Sequence, residues 1–168
     1  LLRVDFSREA HSEWRYDIDS GRYRRWIDAS ASELEMHIDI YNGEQIATDN
    51  LVVLFANHVV DFTIPEDYYA DGIHANFATE IQLWGIGKAL LFRDGQGYVG
   101  SWVRGDAADM PSLFDNSGKP LPLRPGKTWI YTTHTGSEVA QTGGDWIISH
   151  LSPRDRGKLI LPSDSVDN

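Results

Sequence analysis

The side chains from which this 168-residue chain could build a reaction centre are six histidines, twenty-five acids and no cysteine. Without cysteine, disulfides, thiolate metal sites, iron–sulfur clusters and thiol nucleophiles are excluded together. The histidines, His11, His37, His58, His74, His134 and His150, are scattered. Neither the H-E-x-x-H pattern of zinc hydrolases nor the G-x-S-x-G serine elbow occurs. His37 and Asp39 would share one face of a strand, but a metal there needs a further ligand from elsewhere in the chain. Residues 63–78 bring Asp67 and Asp71 close to Glu66, His74 and Asn76, yet the D-x-[DN]-x-[DN]-G spacing of a calcium loop is not met. His37, Asp39, Asp67 and Asp71 are the metal-ligand candidates, none completes a site, and no cofactor is expected.

Two fragments imitate a phosphate-binding loop. Gly126-Lys127-Thr128 lacks the earlier glycine, since Leu121 stands there, and Trp129-Ile130-Tyr131 continues as a strand pattern rather than a helix. Gly87-Lys88 fails at Gln82 and Ala89 in the same way. A glycosidase needs only two carboxylates at a set separation, which spacing in a strand-rich chain cannot reveal. Arg22-Tyr23-Arg24-Arg25-Trp26 is the one basic aromatic cluster. On a strand its arginines divide between two faces, where guanidinium forks hold either an anionic ligand or the acids of a neighbouring strand. The six tryptophans would suit a sugar-stacking platform, but each lies in a strand pattern, where aromatics normally fill the core.

The elements that must position these groups are mostly strands. Period-two alternation or short β-branched and aromatic runs mark 2–6, 13–16, 22–27, 51–62, 80–84, 88–92, 98–103, 128–133 and 145–149. Asp94-Gly95 and Asp115-Asn116-Ser117-Gly118 read as hairpin turns that imply antiparallel pairing. One helix is expected over Ser30–Ile38, with Ser30 or Ser32 as N-cap, and a long polar loop over 63–78. The predicted fold is mainly β: an antiparallel sheet, sandwich-like or a partly open barrel, with hairpins and little helix, α+β remaining open. Residues 1–151 form a single β-rich domain in this reading. Residues 152–168, with the apolar run Leu159-Ile160-Leu161, form an extension or tail.

Charge narrows the partners. The net charge is −10, and residues 26–87 hold eleven acids with no Lys or Arg. Such a stretch repels a nucleic-acid backbone, and no other segment has the basic excess that phosphate binding requires, so no nucleic-acid partner is expected. No run approaches the ~18 apolar residues of a membrane span.

Gly87-Lys88-Ala89-Leu90-Leu91-Phe92-Arg93-Asp94-Gly95, Gly100-Ser101-Trp102-Val103-Arg104, Pro111, Phe114-Asp115, Gly118 and Leu123-Arg124-Pro125-Gly126-Lys127-Thr128-Trp129-Ile130 resemble the C-terminal domain of the YerB-like lipoprotein family. Tyr16, Tyr23-Arg24-Arg25, Asp39 and Asn50-Leu51-Val52-Val53 extend the resemblance over about 3–135. It implies a bacterial family of unknown function, extracytoplasmic and anchored to the membrane only through a lipid upstream of this chain. No catalytic residue carries over. The resulting expectation is a non-catalytic binding or interaction domain for a protein or cell-envelope component. Its ligand-binding candidates are Tyr23, Arg25, Arg93, Asp94, Trp102 and Arg104, polar or aromatic residues within the resembling stretches. The alternatives are an envelope-polymer hydrolase using a carboxylate pair and a structural module docking on an N-terminal domain.

Overall fold

The computed structural model describes residues 1–7, 10–30 and 33–158. Every regular element among them is a strand: β1 (Leu2–Ser7), β2 (Ala10–Asp17), β3 (Arg22–Ser30), β4 (Glu33–Met36), β5 (Ala47–Thr48), β6 (Asn50–Tyr68), β7 (His74–Gln82), β8 (Gly85–Arg93), β9 (Gln96–Arg104), β10 (Ser112–Asp115), β11 (Thr128–His134), β12 (Glu138–Thr142), β13 (Asp145–Ser149) and β14 (Arg156–Lys158). The chain divides into a larger unit, Leu1–Asn57 with Leu83–Ser152, and a smaller one, His58–Gln82 with the described residues from Pro153 onward.

In the larger unit one sheet runs β12-β13-β1-β2-β3-β4, with β5 also on β3, and the other runs β10-β9-β8-β6, with β11 on β6. Pairing is mostly antiparallel, the sheets do not close into a barrel, and the architecture is the mainly-β, sandwich-like one that the sequence predicts. Two parallel pairs depart from that pattern. Leu2–Asp5 of β1 runs beside Trp146–Ser149 of β13, and Thr128–His134 of β11 runs beside Asn50–Ala56 of β6.

Alternation along β6 explains how one strand serves two cores. Leu51, Val53 and Phe55 enter a cluster shared by both sheets, with Leu2, Val4, Trp14, Leu90, Tyr131 and Ile148. Val52, Leu54 and Ala56 point the opposite way, onto Ala89, Leu91, Trp102 and Leu113. With both faces covered, residues 51–56 read as a continuous apolar run rather than an alternating one. Each large side chain buried in this way contributes about 1.5–3 kcal/mol.

The β8–β9 turn matches its sequence signal. Asp94 (φ 52) and Gly95 (φ 76) both adopt positive φ, as a two-residue hairpin turn matching strand twist requires. The 115–119 turn also forms: Asp115 Oδ1 accepts from the Ser117 and Lys119 amides at 2.8 and 2.9 Å, and Phe114 bridges to Pro120.

The helix expected over Ser30–Ile38 is absent. β3 runs on to Ser30, and β4 folds back on it with Trp26 opposite Met36 and Asp28 opposite Leu34. A nine-residue helix is marginal on its own, whereas the open edge of β3 offers hydrogen bonds and cross-strand contacts at once. Ser32 and the run Leu159–Leu161 lie outside the described residues.

The long loop expected over 63–78 is mostly strand, and the strand expected over 80–84 is split. In the smaller unit β6 extends to Tyr68, β7 starts at His74 and ends at Gln82, and β14 pairs with it. Only a short turn remains, closed by Tyr69 N–H to His74 O (3.0 Å) and Gly72 N–H to Tyr69 O (3.1 Å). Phe62 and Phe77 pack at 5.2 Å, and the Arg156 guanidinium lies 4.3 Å over the Tyr69 ring. These strands expose so many of their side chains that no apolar periodicity marks them.

Candidate functional site

One concavity in the larger unit follows from how β3 acquires its second neighbours. After β4 the chain turns back along β3: Arg25 N–H reaches Ile46 O (3.0 Å), His37 N–H reaches Arg25 O (3.0 Å), and Ile46 N–H reaches His37 O (2.8 Å). Between these contacts stands the tight tip Asp39–Glu44. Asp39 N–H donates to Glu44 O and Gly43 N–H to Asp39 O, both at 2.8 Å. Asp39 Oδ1 accepts from Tyr41 N–H at 2.9 Å, and Asn42 Oδ1 accepts from Glu44 N–H at 2.8 Å. The tip is thus tied down by its own polar groups while Ile40 and Tyr41 stand 88% and 94% exposed.

The facing wall is clamped by residues 48–50. The Lys127 carbonyl receives the Asp49 and Asn50 amides (3.0 and 3.1 Å) and the Thr48 hydroxyl (2.8 Å). Asn50 is fully buried; its Nδ2 donates to Arg124 O (2.8 Å) and Thr128 Oγ1 (3.2 Å), and its Oδ1 accepts from Arg124 N–H (2.8 Å). Asp49 Oδ2 accepts from Lys127 N–H at 2.8 Å.

Between tip and wall lies a cleft of about 400 Å³, lined by Arg22, Asp39, Asn42, Glu44, Gln45, Ile46, Ala47, Thr48, Lys127, Thr128 and Trp129. That volume is at the small end of ligand sites. Ile46 and Trp129 also pack against the inter-sheet core, so its floor is anchored. A neighbouring hollow of about 370 Å³ lined by Ser20 and Arg24 shares Arg22, Glu44, Gln45 and Ala47 with it.

Trp129 is held rigidly: the Arg25 guanidinium sits 4.5 Å over its ring, and Trp14 tilts against it at 5.3 Å. Arg25 in turn donates through Nη1 to His37 Nδ1 at 2.8 Å. Burial, and then the neighbouring guanidinium, hold His37 below its ordinary pKa, which keeps that nitrogen an acceptor. Arg22 donates through Nη2 to Ala47 O (2.8 Å) while its buried Nε, 3.7 Å from Asp49, makes no hydrogen bond, and Arg24 pairs with Asp17 (2.8 Å). Arg24 and Ser20 hold the Asp17 carboxyl down at about 2. On the outer face of the first sheet another hollow is lined by charges that close on one another: His11 with Asp28 (3.0 Å), and Arg15 with Glu13 (2.9 Å).

The six sequence-chosen ligand residues do not converge. Tyr23 is 3% exposed in the inter-sheet core, and burial pushes its phenol up. The Gly95 backbone draws it back only in part, and no well-formed hydrogen bond reaches the hydroxyl. Arg25 supports Trp129 without lining the cleft. Arg93 donates to the Pro122 carbonyl and lies 5.2 Å over the Tyr98 ring, and Asp94 shapes the β8–β9 turn, 3.4 Å from Arg124. Trp102 is buried, its Nε1 donating to Phe55 O at 3.0 Å. Arg104 holds three carbonyls, of Asp109 (2.8 Å), Leu83 (3.0 Å) and Ala107, and so fixes the 105–110 loop.

Of the metal candidates, Asp39 lines the cleft and His37 is engaged by Arg25. Asp67 is exposed, and Asp71 closes its turn, its carboxyl held well below the usual range by the Ile73 and His74 amides and the His74 ring. Among the described residues no three His, Asp or Glu side chains gather as metal ligands would. Gln45, Thr48, Asn50 and Lys127 went unrecognised in the sequence as site residues. The signals near them were the failed phosphate loop at Gly126-Lys127-Thr128 and the resembling stretches that contain Asn50 and Lys127.

A mainly-β, sandwich-like domain with a polar cleft beside an exposed hairpin tip is the class that this geometry defines. The chain belongs to the family described as protein of unknown function (DUF3048), C-terminal domain, whose model matches residues 2–130. It is similar to the crystal structure of the YerB protein from Bacillus subtilis, at 27% identity and a TM-score of 0.54 over 74% of this chain. The match covers 36% of the YerB chain, so this sequence spans about a third of that relative. Comparison with curated proteins finds no match.

Proposed function

We propose that this domain is a non-catalytic binding module of an extracytoplasmic bacterial lipoprotein, and that it captures a cell-envelope component in the Arg22–Trp129 cleft. The observation that carries the reading is the state of the cleft's polar side chains. Asp39, Asn42 and Gln45 each spend one atom on the backbone, Gln45 through Nε2 to Arg25 O at 2.8 Å, and each leaves the other atom without a partner among the described residues. Half-engaged groups held by a rigid turn are preorganised for a ligand, because binding costs them little further side-chain entropy. The lipoprotein setting is supported by the resemblance to the YerB-like family.

A second reading rests on Asp39 and Glu44 lining the same cleft, two carboxylates of the kind a carboxylate-pair hydrolase uses. One experiment addresses both. The full chain and an Asn42→Ala/Gln45→Ala variant are mixed with isolated bacterial cell walls, sedimented, and the supernatant is assayed for released reducing ends. Binding by the parent, loss in the variant and no release support the module. Release that disappears in Asp39→Asn or Glu44→Gln supports the hydrolase, and equal sedimentation of parent and variant removes the cleft from both readings.

A further inference from the structure

We infer that the cleft recognises a neutral saccharide, an inference that rests on the binding reading above and supplies its ligand class. Charge is the first discriminator. Arg22 and Lys127 on the lining are balanced by Asp39 and Glu44, and Arg22 is already committed to Asp49 and the Ala47 carbonyl. A phosphate or carboxylate ligand therefore meets no surplus positive charge, and one arm of the guanidinium fork that would grip it is already bonded to the Ala47 carbonyl.

Hydrogen-bonding capacity is the second. The unengaged atoms are acceptors at Asp39 Oδ2, Gln45 Oε1 and the Glu44 carboxylate, and donors at Asn42 Nδ2, Trp129 Nε1 and Lys127 Nζ. Donors and acceptors interleaved within one small cleft match a ligand whose every polar group both donates and accepts, which is the property of sugar hydroxyls.

The third is the floor. Trp129 is clamped by Arg25 and Trp14, so the indole surface left open toward the cleft is fixed in orientation. Together with Ile46 it gives the ligand an apolar surface bordered by polar groups, suited to the C–H face of a pyranose ring.

The test is calorimetric titration of the full chain with short β-linked oligomers of glucose and of N-acetylglucosamine, and with inorganic polyphosphate as the anionic comparator. Binding of at least one saccharide is expected, unchanged when salt is raised tenfold, with indole fluorescence responding. Trp129→Ala should weaken it by about tenfold or more, as loss of a central aromatic contact does. Glu44→Gln, at a side chain with no partner among the described residues, should weaken it with no change in thermal unfolding, so the inference does not depend on a variant that fails to fold. Salt-sensitive binding of polyphosphate alone would overturn the saccharide assignment, as would saccharide binding that both variants retain. If cell walls sediment the domain through the cleft while no saccharide binds, the ligand class is wrong and the binding module stands. If neither occurs, both fall.

Discussion

Replacing Asn50 by alanine should destabilise the domain by about 3 kcal/mol, because one buried amide does the work of several backbone partners. The substitution removes two bonds of 2.8 Å, one donated to Arg124 O and one accepted from Arg124 N–H, and longer ones to Thr128 Oγ1 (3.2 Å) and Lys127 O (3.4 Å). Two well-formed bonds at ~0.5–1.5 kcal/mol each give roughly 1–3 kcal/mol, and stranding a buried partner adds about 1–3 kcal/mol. The midpoint of urea unfolding, followed by tryptophan fluorescence and far-ultraviolet circular dichroism, should fall at unchanged slope. Locally, the Arg124 amide should lose hydrogen-exchange protection. Asn50→Asp should be at least as damaging, since it sets a second carboxylate oxygen against the Arg124 and Lys127 carbonyls. A loss below about 1 kcal/mol for alanine, or an aspartate variant as stable as the parent, would refute the account of Asn50 as the tie between β6 and the cleft wall.

Gly87→Ala places a methyl 2.5 Å from both Phe55 O and Trp102 Nε1, atoms that are hydrogen-bonded to each other at 3.0 Å. Overpacking and the lost bond together should cost about 2–5 kcal/mol, read by the same urea titration, and a thermally unchanged variant would contradict the packing. His37 is held below its ordinary 6.5 by burial and by Arg25, so the folded state binds fewer protons there than the unfolded one. Its contribution to stability is present above the unfolded-state pKa and declines as the pH falls below about 6.5. Arg25→Met should move the His37 titration, followed by nuclear magnetic resonance, upward but not fully to its ordinary value, because burial remains; an unmoved midpoint would show that the guanidinium has no part in it.

Much of the sandwich was legible because its strands carry their own patterns. Leu51–Ala56 announced a strand, and Asp94-Gly95 announced its turn through the two positive φ angles such a hairpin demands. What escaped was non-local. Glu33 and Glu35 suit the first turn of a helix, and nothing in residues 30–38 says that β3 lies open beside them; tertiary pairing overrode a weak local preference. The pairing of β11 with β6 joins segments with no mutual signal in sequence. The cleft was hidden for the same reason. Its walls come from residues 39–48 and 127–129, and its organiser, Asn50, looks in sequence like a polar residue at the start of an apolar run. Arg104 and Trp102 show the converse: types that often bind ligands are here absorbed by three carbonyls and by the core.

The parallel pairing of β1 with β13 makes the domain's assembly an end-to-end event. β1 precedes the other strands of the domain along the chain yet lies between β2 and β13, and Trp146 and Ile148 complete the hydrophobic cluster that Leu2 and Val4 begin. A nascent chain stopping near residue 130, where the family model ends, would hold β1 with one side unzipped and its apolar residues wet. Closure therefore waits for almost the whole domain, a high-contact-order route expected to be slow and strongly cooperative. Fragments ending between 130 and 145 should remain soluble only with chaperone protection, and those that include β13 should acquire protease resistance in a single step.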